Sequence, residues 1–219
     1  MVPVKITNLS KYFNNHSVLN KINLSIKSGY MLGLTGSNGC GKTTLLKIIS
    51  GLILPDEGTV EIFGQDVNYE KHLIGFVPSD ERSFYFQLTG RQNLEFFGSL
   101  YKVDNLKVKI DYLLSHFNLT DTANIKYANY SSGTKQKFQI IRALLHTPSI
   151  LLIDEPTKSL DTNTSLEIFD FIKSKIKQEN KTAIIVSHNI DELKNLCDEI
   201  VQLQNGRICD FVATCSVHL

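Results

Sequence analysis

A glycine-rich segment, GSNGCGKT at residues 36–43, constrains this chain more than any other part of its sequence. It matches the pattern GxxxxGK[ST], with the apolar run MLGLTG before it and the helix-like KTTLLKIISGL after it. This context predicts a phosphate-binding loop, because glycines let successive backbone N–H groups point at phosphate oxygens and the helix dipole adds positive potential. The candidate nucleotide-binding residues are Gly36, Ser37, Asn38, Gly39, Cys40, Gly41, Lys42, Thr43 and Thr44.

Three of these side chains have separate predicted roles. Lys42 is expected to reach the β- and γ-phosphates, and the Thr43 hydroxyl is expected to bind Mg²⁺, which prefers hard oxygen ligands. Thr44, as the next residue of the helix, is expected nearer the α-phosphate. The loop and its flanks therefore predict a site for a nucleoside triphosphate with its metal.

A second motif, SILLIDEP at residues 149–156, delivers Asp154 and Glu155 at the end of an apolar strand-like run. Open α/β sheets bind ligands at the carboxyl ends of their strands. Neighbouring strand residues face opposite sides, so we expect Asp154 to hold the Mg²⁺ shell and Glu155 to act on the attacking water as general base. A strand end with two solvated acids is the alternative, and the glycine-rich loop argues against it.

Composition indicates one globular domain, since 42% of the 219 residues are hydrophobic and 21% are charged. Lysine and arginine number 23 against 22 acidic residues without a basic cluster, so we expect no nucleic-acid partner. The amino terminus lacks the apolar core of a signal peptide, and no apolar run approaches the ~20 residues of a membrane span. Four cysteines without a CxxC pair are typical of free thiols in a reducing cytosol.

The hydrophobic patterning predicts an α/β fold, a P-loop NTPase core with an antiparallel β subdomain and a helical subdomain. VKITNLS and SVLNKINLSI alternate like antiparallel strands, TAIIVS resembles a buried strand, and Asn205-Gly206 predicts a hairpin turn. Helical periodicity in RQNLEFFGSLY, LKVKIDYLLSHF and KQKFQIIRALL predicts an insertion. We expect one domain over residues 1–219, with the core and β subdomain in 1–88 and 146–219 and the helical subdomain in 89–145.

Between the two motifs lies YSSGTKQ, residues 130–136, which resembles the LSGGQ signature of ATP-binding-cassette (ABC) proteins. Ser131 and Gly133 match the signature, Ser132 replaces its first glycine and Thr134 replaces its glutamine. SSGxKQ variants resemble those of exporters in the ABC-2 group. The resemblance implies that Ser131, Ser132 and Gly133 act on ATP held by an opposing subunit. From the residues alone, a Ser-Gly helix cap explains the same segment.

Further elements follow the order expected of that family. Ser159-Leu160-Asp161 resembles the D-loop, and His188 after TAIIVS resembles the switch histidine that contacts the γ-phosphate. Tyr12 resembles the aromatic residue that stacks on adenine, with Phe13 as the neighbouring alternative. A histidine capping a strand end and a core aromatic in the first sheet are the alternatives that the residues leave open.

The resemblance extends from NLSKYF to NGRI and implies an ABC ATPase that energises a membrane transporter, with an exporter favoured by the signature. It implies Glu155, His188 and Lys42 as catalytic residues and Mg²⁺ as the cofactor. The implied partners are ATP, a second ABC ATPase subunit, identical or different, and a separate permease that holds the chain at the cytoplasmic face of a membrane. A soluble ABC-type ATPase or a nucleotide-sensing regulatory subunit is the alternative, although Glu155 and His188 together argue against a degraded site.

The family pattern fails at the segment IGFVPSDERSFYFQLTGRQNL, residues 74–94, where Ser79 replaces the expected Q-loop glutamine. That glutamine normally touches Mg²⁺ and the attacking water, so we expect slower hydrolysis, with Asp80 or Glu81 as possible compensating oxygen ligands. An arginine and three aromatic residues follow, which predict either a groove for docking the permease or packing inside the helical subdomain. These residues are Arg82, Phe84, Tyr85 and Phe86.

Overall fold

The structure, a computed structural model, describes residues 2–80, 83–158 and 160–213, with side chains as far as residue 209. Its strands are β1 (Val4–Phe13), β2 (His16–Ile26), β3 (Met31–Thr35), β4 (Glu57–Ile62), β5 (Gln65–Asp66), β6 (Ile74–Val77), β7 (Ile150–Asp154), β8 (Thr182–Val186), β9 (Glu199–Gln204) and β10 (Arg207–Ala213). Its helices are α1 (Lys42–Ile49), α2 (Val67–Glu70), α3 (Gly90–Leu100), α4 (Leu106–His116), α5 (Ser132–Leu144), α6 (Thr162–Gln178) and α7 (Ile190–Leu196).

A six-stranded sheet in the order β10-β9-β3-β8-β7-β6 forms the centre of the fold. Its strands run parallel except β10, which pairs antiparallel with β9 through the predicted turn at Asn205-Gly206. Every residue of β3, β7 and β8 is buried, which explains their continuous apolar sequences. All the loops that follow the parallel strands therefore meet at one edge of the sheet.

Alternate residues of the central strands face two separate hydrophobic cores. Leu151 and Ile153 of β7 pack into a core with α3, α4, α5 and α6, whereas Ile150 and Leu152 pack into a core with α1 and the antiparallel sheet. This alternation is the period-two geometry of a strand. The central sheet is thus covered on both faces, as expected for parallel strands.

A smaller antiparallel sheet in the order β2-β1-β4-β5 covers the α1 side of the molecule. The β1–β2 turn uses Asn14 and Asn15, both in the left-handed region with φ of 47° and 62°. Asparagine tolerates this conformation better than most residues, so the Asn-Asn pair fixes a tight hairpin. The hairpin places residues 12–18 beside the helix that follows the glycine loop, because Val18 contacts the Cβ position of Gly41.

The chain between residues 90 and 144 carries helices α3, α4 and α5. Thr89 and Gln92 form a capping box at the start of α3, which satisfies two helix-terminal backbone donors. Within the residues that the structure describes, no helix is both long and apolar enough to cross a membrane.

Candidate active site

The glycine-rich loop joins β3 to α1 and has positive φ at Gly36, Gly39 and Gly41. Lys42 is 7% exposed, and its ammonium donates hydrogen bonds to the carbonyl oxygens of Gly36 at 2.7 Å and Ser37 at 3.1 Å. The lysine therefore closes a ring with its own loop. This ring keeps a positive charge beside the backbone N–H groups at the start of α1, as phosphate binding requires.

Asp154 is buried, with 1% of its surface exposed, and binds both neighbouring loops. Its Oδ2 accepts hydrogen bonds from the hydroxyls of Thr43 at 2.8 Å and Ser79 at 3.1 Å. Its Oδ1 is buried without a hydrogen-bond partner among the described residues. Ser79, at the position of the expected glutamine, thus contributes a hydroxyl to the same carboxylate that Thr43 contacts.

Glu155 lies at the turn after β7 in the left-handed region, with φ of 54°, and its N–H donates to Val186 O at 2.9 Å. Its Oε2 lies 2.9 Å from Nδ1 of His188, whose side chain is 62% exposed. A non-glycine residue in this region is strained by about 1–3 kcal/mol and needs support from its surroundings. The sequence places these two residues 33 positions apart, and the fold brings them into direct contact.

Lys42, Asp154 and Glu155 line a cavity of about 370 Å³ at the carboxyl edge of the central sheet, and His188 contacts Glu155 from outside that lining. Of the predicted residues, Asn38, Gly39, Gly41, Lys42, Thr43, Thr44, Asp154 and Glu155 line it, together with Val18, Ser79 and Lys158. Sequence reasoning did not single out Val18 or Lys158. Lys158 lies three residues after Glu155 in the same loop, and this position is the sequence signal from which Lys158 could have been predicted.

The other loop residues lie outside the lining. Gly36 and Ser37 supply the carbonyls that hold Lys42. Cys40 is partly buried against the core on the α1 side, near Gly36. The cysteine therefore packs behind the loop and does not face the cavity.

Tyr12 and Phe13 are exposed by 40% and 44%, so neither is a core aromatic of the first sheet. Tyr12 pairs with Ser17 across the hairpin, one residue from the cavity-lining Val18. The carboxylate of Asp56 holds the backbone at Tyr12, because it accepts a hydrogen bond from the Tyr12 N–H at 2.6 Å. That N–H, followed by Lys11, lowers the pKa of Asp56.

The signature segment lies apart from this cavity, and none of its residues lines it. Ser131 is the N-cap of α5, and its hydroxyl accepts from the Thr134 N–H at 3.2 Å. The helix-cap alternative is therefore correct as a description of the local structure. Ser131 and Ser132 are exposed, so the same start of α5 is open to a ligand outside the chain.

Asp161 caps α6 beside the signature. Its carboxylate accepts from the Thr164 N–H at 3.0 Å and the Thr164 hydroxyl at 2.7 Å, and these bonds lower its pKa. A Cβ built on Gly133 would meet the Thr164 methyl at 3.1 Å. Thr164 thus joins the predicted D-loop to the signature, while Ser159 lies outside the described residues.

The aromatic segment has a mixed environment. Phe84 is buried, stacked on Tyr127 with ring centres 4.5 Å apart, so for this residue the alternative of packing inside the helical subdomain is correct and the docking groove is not. Tyr85 and Phe86 are exposed by 51% and 40%. Glu81 and Arg82 lie outside the described residues.

Arg142 of α5 was not predicted from the sequence, and it lies beside this segment. Its guanidinium lies 5.2 Å from the ring centre of Phe84 and 5.0 Å from that of Phe97, and it donates to Ser83 O at 2.8 Å. Burial lowers its pKa. No carboxylate forms an ion pair with it in residues 2–80, 83–158 and 160–209.

Comparison with known proteins gives the class of the chain. The ABC transporter family model matches residues 19–158, more than half of the sequence. Two dimeric ABC cassette structures resemble the fold: one of a post-hydrolysis state bound to ADP and Pi (TM-score 0.88, 28% identity, 96% of this chain and 98% of that chain covered), the other of a bacterial ABC transporter cassette (TM-score 0.89, 27% identity, the same coverage).

The chain belongs to the ATP-binding subunits of ABC transporters and is an ATPase of that family. It is 34% identical over 215 residues to the ABC transporter ATP-binding protein NatA of Bacillus subtilis (strain 168), covering 94% of this chain and 87% of NatA. It is 35% identical to the methionine import ATP-binding protein MetN of Clostridium acetobutylicum, covering 94% and 67%. The expected α/β fold of ABC ATPase type is confirmed.

Proposed function

We propose that this chain hydrolyses Mg²⁺-bound ATP in a composite site between two ABC ATPase subunits and thereby drives export through a separate permease. The observation that carries the proposal is the convergence of Lys42, Asp154 and Glu155 on one cavity, with His188 in contact with Glu155. The signature at Ser131 lies outside that cavity on an exposed helix start. The chain thus contains two complementary half-sites.

Hydrolysis requires a water to be aligned with the γ-phosphate and its proton to be accepted. The Glu155 carboxylate is the proposed proton acceptor, and the imidazole of His188 at 2.9 Å holds that carboxylate in place and reaches toward the γ-phosphate from its exposed side. Lys42 neutralises charge on the β- and γ-phosphates, exchanging its carbonyl partners for phosphate oxygens. Charge neutralisation and positioning supply most of the catalysis in such transfers.

The residues present fit Mg²⁺ as the cofactor. The buried Oδ1 of Asp154 has no hydrogen-bond partner in the described chain, and the Thr43 and Ser79 hydroxyls converge on Oδ2. Oxygen donors of this kind suit Mg²⁺, which takes its remaining ligands from water and phosphate. When bound, the ion offsets the negative charge of the phosphates. Thr43 and Asp154 are the proposed ligands, and Ser79 orients Asp154.

A second subunit completes the site. Ser131, Ser132 and the backbone of Gly133 present a helix start with exposed hydroxyls, which suits an anion contributed by another molecule. A second copy of this chain or a related ABC subunit would place them against the γ-phosphate, with Asp161 at the same interface. Tyr12 offers its exposed ring for stacking on adenine.

The permease is proposed to dock in a lateral groove of about 640 Å³ that separates the α1 end of the core from helices α3 and α5. Its lining includes Leu52, Leu100, Tyr101, Arg142 and His146. Leu52 and Leu100 are 65% and 64% exposed, and Arg142 has no carboxylate partner among the described residues. The groove therefore fits an apolar permease segment that carries an acidic side chain.

Docking there would place the chain on the cytoplasmic face of a membrane. We propose that residues 89–145 respond to the permease as a helical subdomain, with 1–88 and 146–219 as the core that holds the nucleotide. The SSGTKQ variant of the signature supports export. Arg142→Gln is expected to weaken co-purification of the permease without changing ATP affinity. Arg91→Gln serves as control, because Arg91 pairs with Asp111 at 2.7 Å outside the groove.

The central test is steady-state ATPase activity of the wild type and Glu155→Gln with Mg²⁺, with light scattering to follow dimer formation. The expected result is loss of turnover in the variant together with a dimer that ATP stabilises. Retained turnover in the variant would refute Glu155 as the general base. Loss of turnover without any ATP-dependent dimer in either protein would refute the composite site.

A further inference from the structure

Glu192, in the first turn of α7, joins the two loops that carry the proposed catalytic residues. Its Oε2 accepts hydrogen bonds from the Thr157 hydroxyl at 3.0 Å and from the Ser187 hydroxyl at 3.0 Å. Thr157 follows Glu155 by two residues, and Ser187 directly precedes His188. One carboxylate oxygen thus accepts hydrogen bonds from a hydroxyl within two residues of each proposed catalytic side chain.

The surroundings of this contact are ordered on both sides. Ser187 is 3% exposed, and its hydroxyl also accepts the Asn189 N–H at 3.0 Å. Asn189 in turn caps α7 and accepts from the N–H of Glu192 itself at 3.4 Å. In the loop after β7, the Leu160 N–H donates to Thr157 O at 3.1 Å, and Asp161 is the next residue in the sequence. Glu192 therefore contacts both loops, and each contacted residue, Thr157 or Ser187, forms a further hydrogen bond within its own loop.

Two features of the catalytic pair require such support. Glu155 holds a left-handed backbone conformation that persists only where surrounding contacts enforce it. The His188 side chain is 62% exposed, and its hydrogen bond to Glu155 at 2.9 Å holds it. A misplacement of about 1 Å in such a group can cost about 100-fold in rate.

We propose that Glu192 is a positioning residue for ATP hydrolysis, which holds Glu155 and His188 in mutual register by binding the Thr157 and Ser187 hydroxyls. This inference rests on the proposed roles of Glu155 and His188. Glu192 does not line the nucleotide cavity, so its effect falls on turnover and not on nucleotide affinity. An ordinary helix-terminal acid would instead act only through the dipole of α7.

The neighbouring Asp191 provides a matched control for that ordinary role. It is an acidic residue in the same first turn, but its side chain is 84% exposed, and its ion pair is with Lys194 at 3.8 Å on the same helix. Asp191→Ala removes the same charge from the same helix start without touching either loop. A dipole effect would be similar for both residues, whereas a positioning effect belongs to Glu192 alone.

The test is the ATPase activity of Glu192→Ala, Glu192→Gln and Asp191→Ala with Mg²⁺. Glu192→Ala is expected to lower kcat about 10- to 100-fold with KM for ATP within about threefold of wild type. Glu192→Gln, whose amide oxygen can still accept both hydroxyls, is expected to recover most of that loss. Asp191→Ala is expected to match the wild type. Equal kcat for Glu192→Ala and Asp191→Ala would overturn the proposal.

Two further measurements keep the test decisive. Thr157→Val, which removes one hydroxyl at nearly constant shape, should lower kcat, whereas Thr157→Ser should not, and Thr157→Val should add little in the Glu192→Ala background. Amide hydrogen exchange over residues 155–158 and 187–189 should rise in Glu192→Ala and not in Asp191→Ala. Unchanged exchange, or additive effects of Thr157→Val and Glu192→Ala, would refute the connection.

The Glu155→Gln variant distinguishes the two possible failures. If Glu155→Gln abolishes turnover while Glu192→Ala does not reduce it, the proposed function stands and the positioning role is wrong. If Glu155→Gln turns over normally, the assignment of the general base fails first.

Discussion

Gly36→Ala and Gly39→Ala each add one methyl group to the same phosphate-binding loop, so their effects on stability can be compared directly. Both glycines have positive φ, of 149° and 79°. Their surroundings differ, because a Cβ on Gly36 would lie 2.2 Å from the carbonyl oxygen of Leu203, whereas a Cβ on Gly39 would meet no atom within 4 Å. The structure therefore predicts very different costs for the same methyl group.

At Gly39 only backbone strain opposes the change. A left-handed alanine costs about 1–2 kcal/mol, partly offset by about 0.4–1 kcal/mol from the reduced entropy of the unfolded chain. At Gly36 a more restricted backbone costs about 1–3 kcal/mol, and forcing β9 away from the loop adds about 1–3 kcal/mol. The entropy offset applies to both variants, so Gly36→Ala is expected to destabilise the protein by about 2 kcal/mol more than Gly39→Ala.

Urea denaturation of the two variants and the wild type measures this difference, and the thermal midpoints of the two variants should differ by about 4–8 °C for a chain of this size. Binding of Mg²⁺ and ATP, followed by the rise in thermal midpoint, shows whether the loop still holds phosphate. Equal stabilities for Gly36→Ala and Gly39→Ala would refute the claim that the close contact with Leu203 fixes the loop against β9.

Three other outcomes are expected. Alkylation followed by peptide mass spectrometry should leave Cys197 unmodified, because burial raises its pKa to about 12; labelling of Cys197 at the rate of the exposed Cys209 would contradict this. Ser79→Ala should raise the Mg²⁺ concentration for half-maximal ATPase activity about tenfold, since Asp154 loses an orienting donor, and an unchanged Mg²⁺ dependence would refute that role. Burial lowers the pKa of His146, so the unfolded chain binds more protons there and acidification below about pH 6.5 destabilises the fold. His146→Gln should therefore lose less stability than the wild type between about pH 7.5 and 5.5. Urea curves with the same pH dependence in both proteins would contradict this.

The parts of the fold that could be predicted are those set by short-range pattern. The strand, loop and helix around Lys42 follow from apolar spacing and from glycines whose φ values other residues avoid. The turn at Asn205-Gly206 was predictable for the same local reason. Strands β4 and β6 and helix α7 were not predicted, because they are short and depend on pairing or packing with distant segments.

The candidate site divides in the same way. The adjacent acids Asp154 and Glu155 could be read from the end of an apolar run. Ser79 and Asp154 are in contact but 75 positions apart in the sequence, and Thr157 and Glu192 are 35 positions apart. A local sequence pattern therefore cannot predict either contact. Phe84 shows the limit for aromatic residues, since composition could not separate a buried ring from an exposed one.

The place of β8 between β3 and β7 has a consequence for the evolution of this ATPase. The glycine loop follows β3 and the acidic pair lies at the end of β7, so the two strands that carry them are two strand spacings apart, roughly 10 Å. Hydrogen bonding between neighbouring strands sets this distance between β3 and β7, and side chains outside the loops do not. Core side chains can therefore differ between related chains while the distance between the two loops is kept, in agreement with a TM-score of 0.88 at 28% identity.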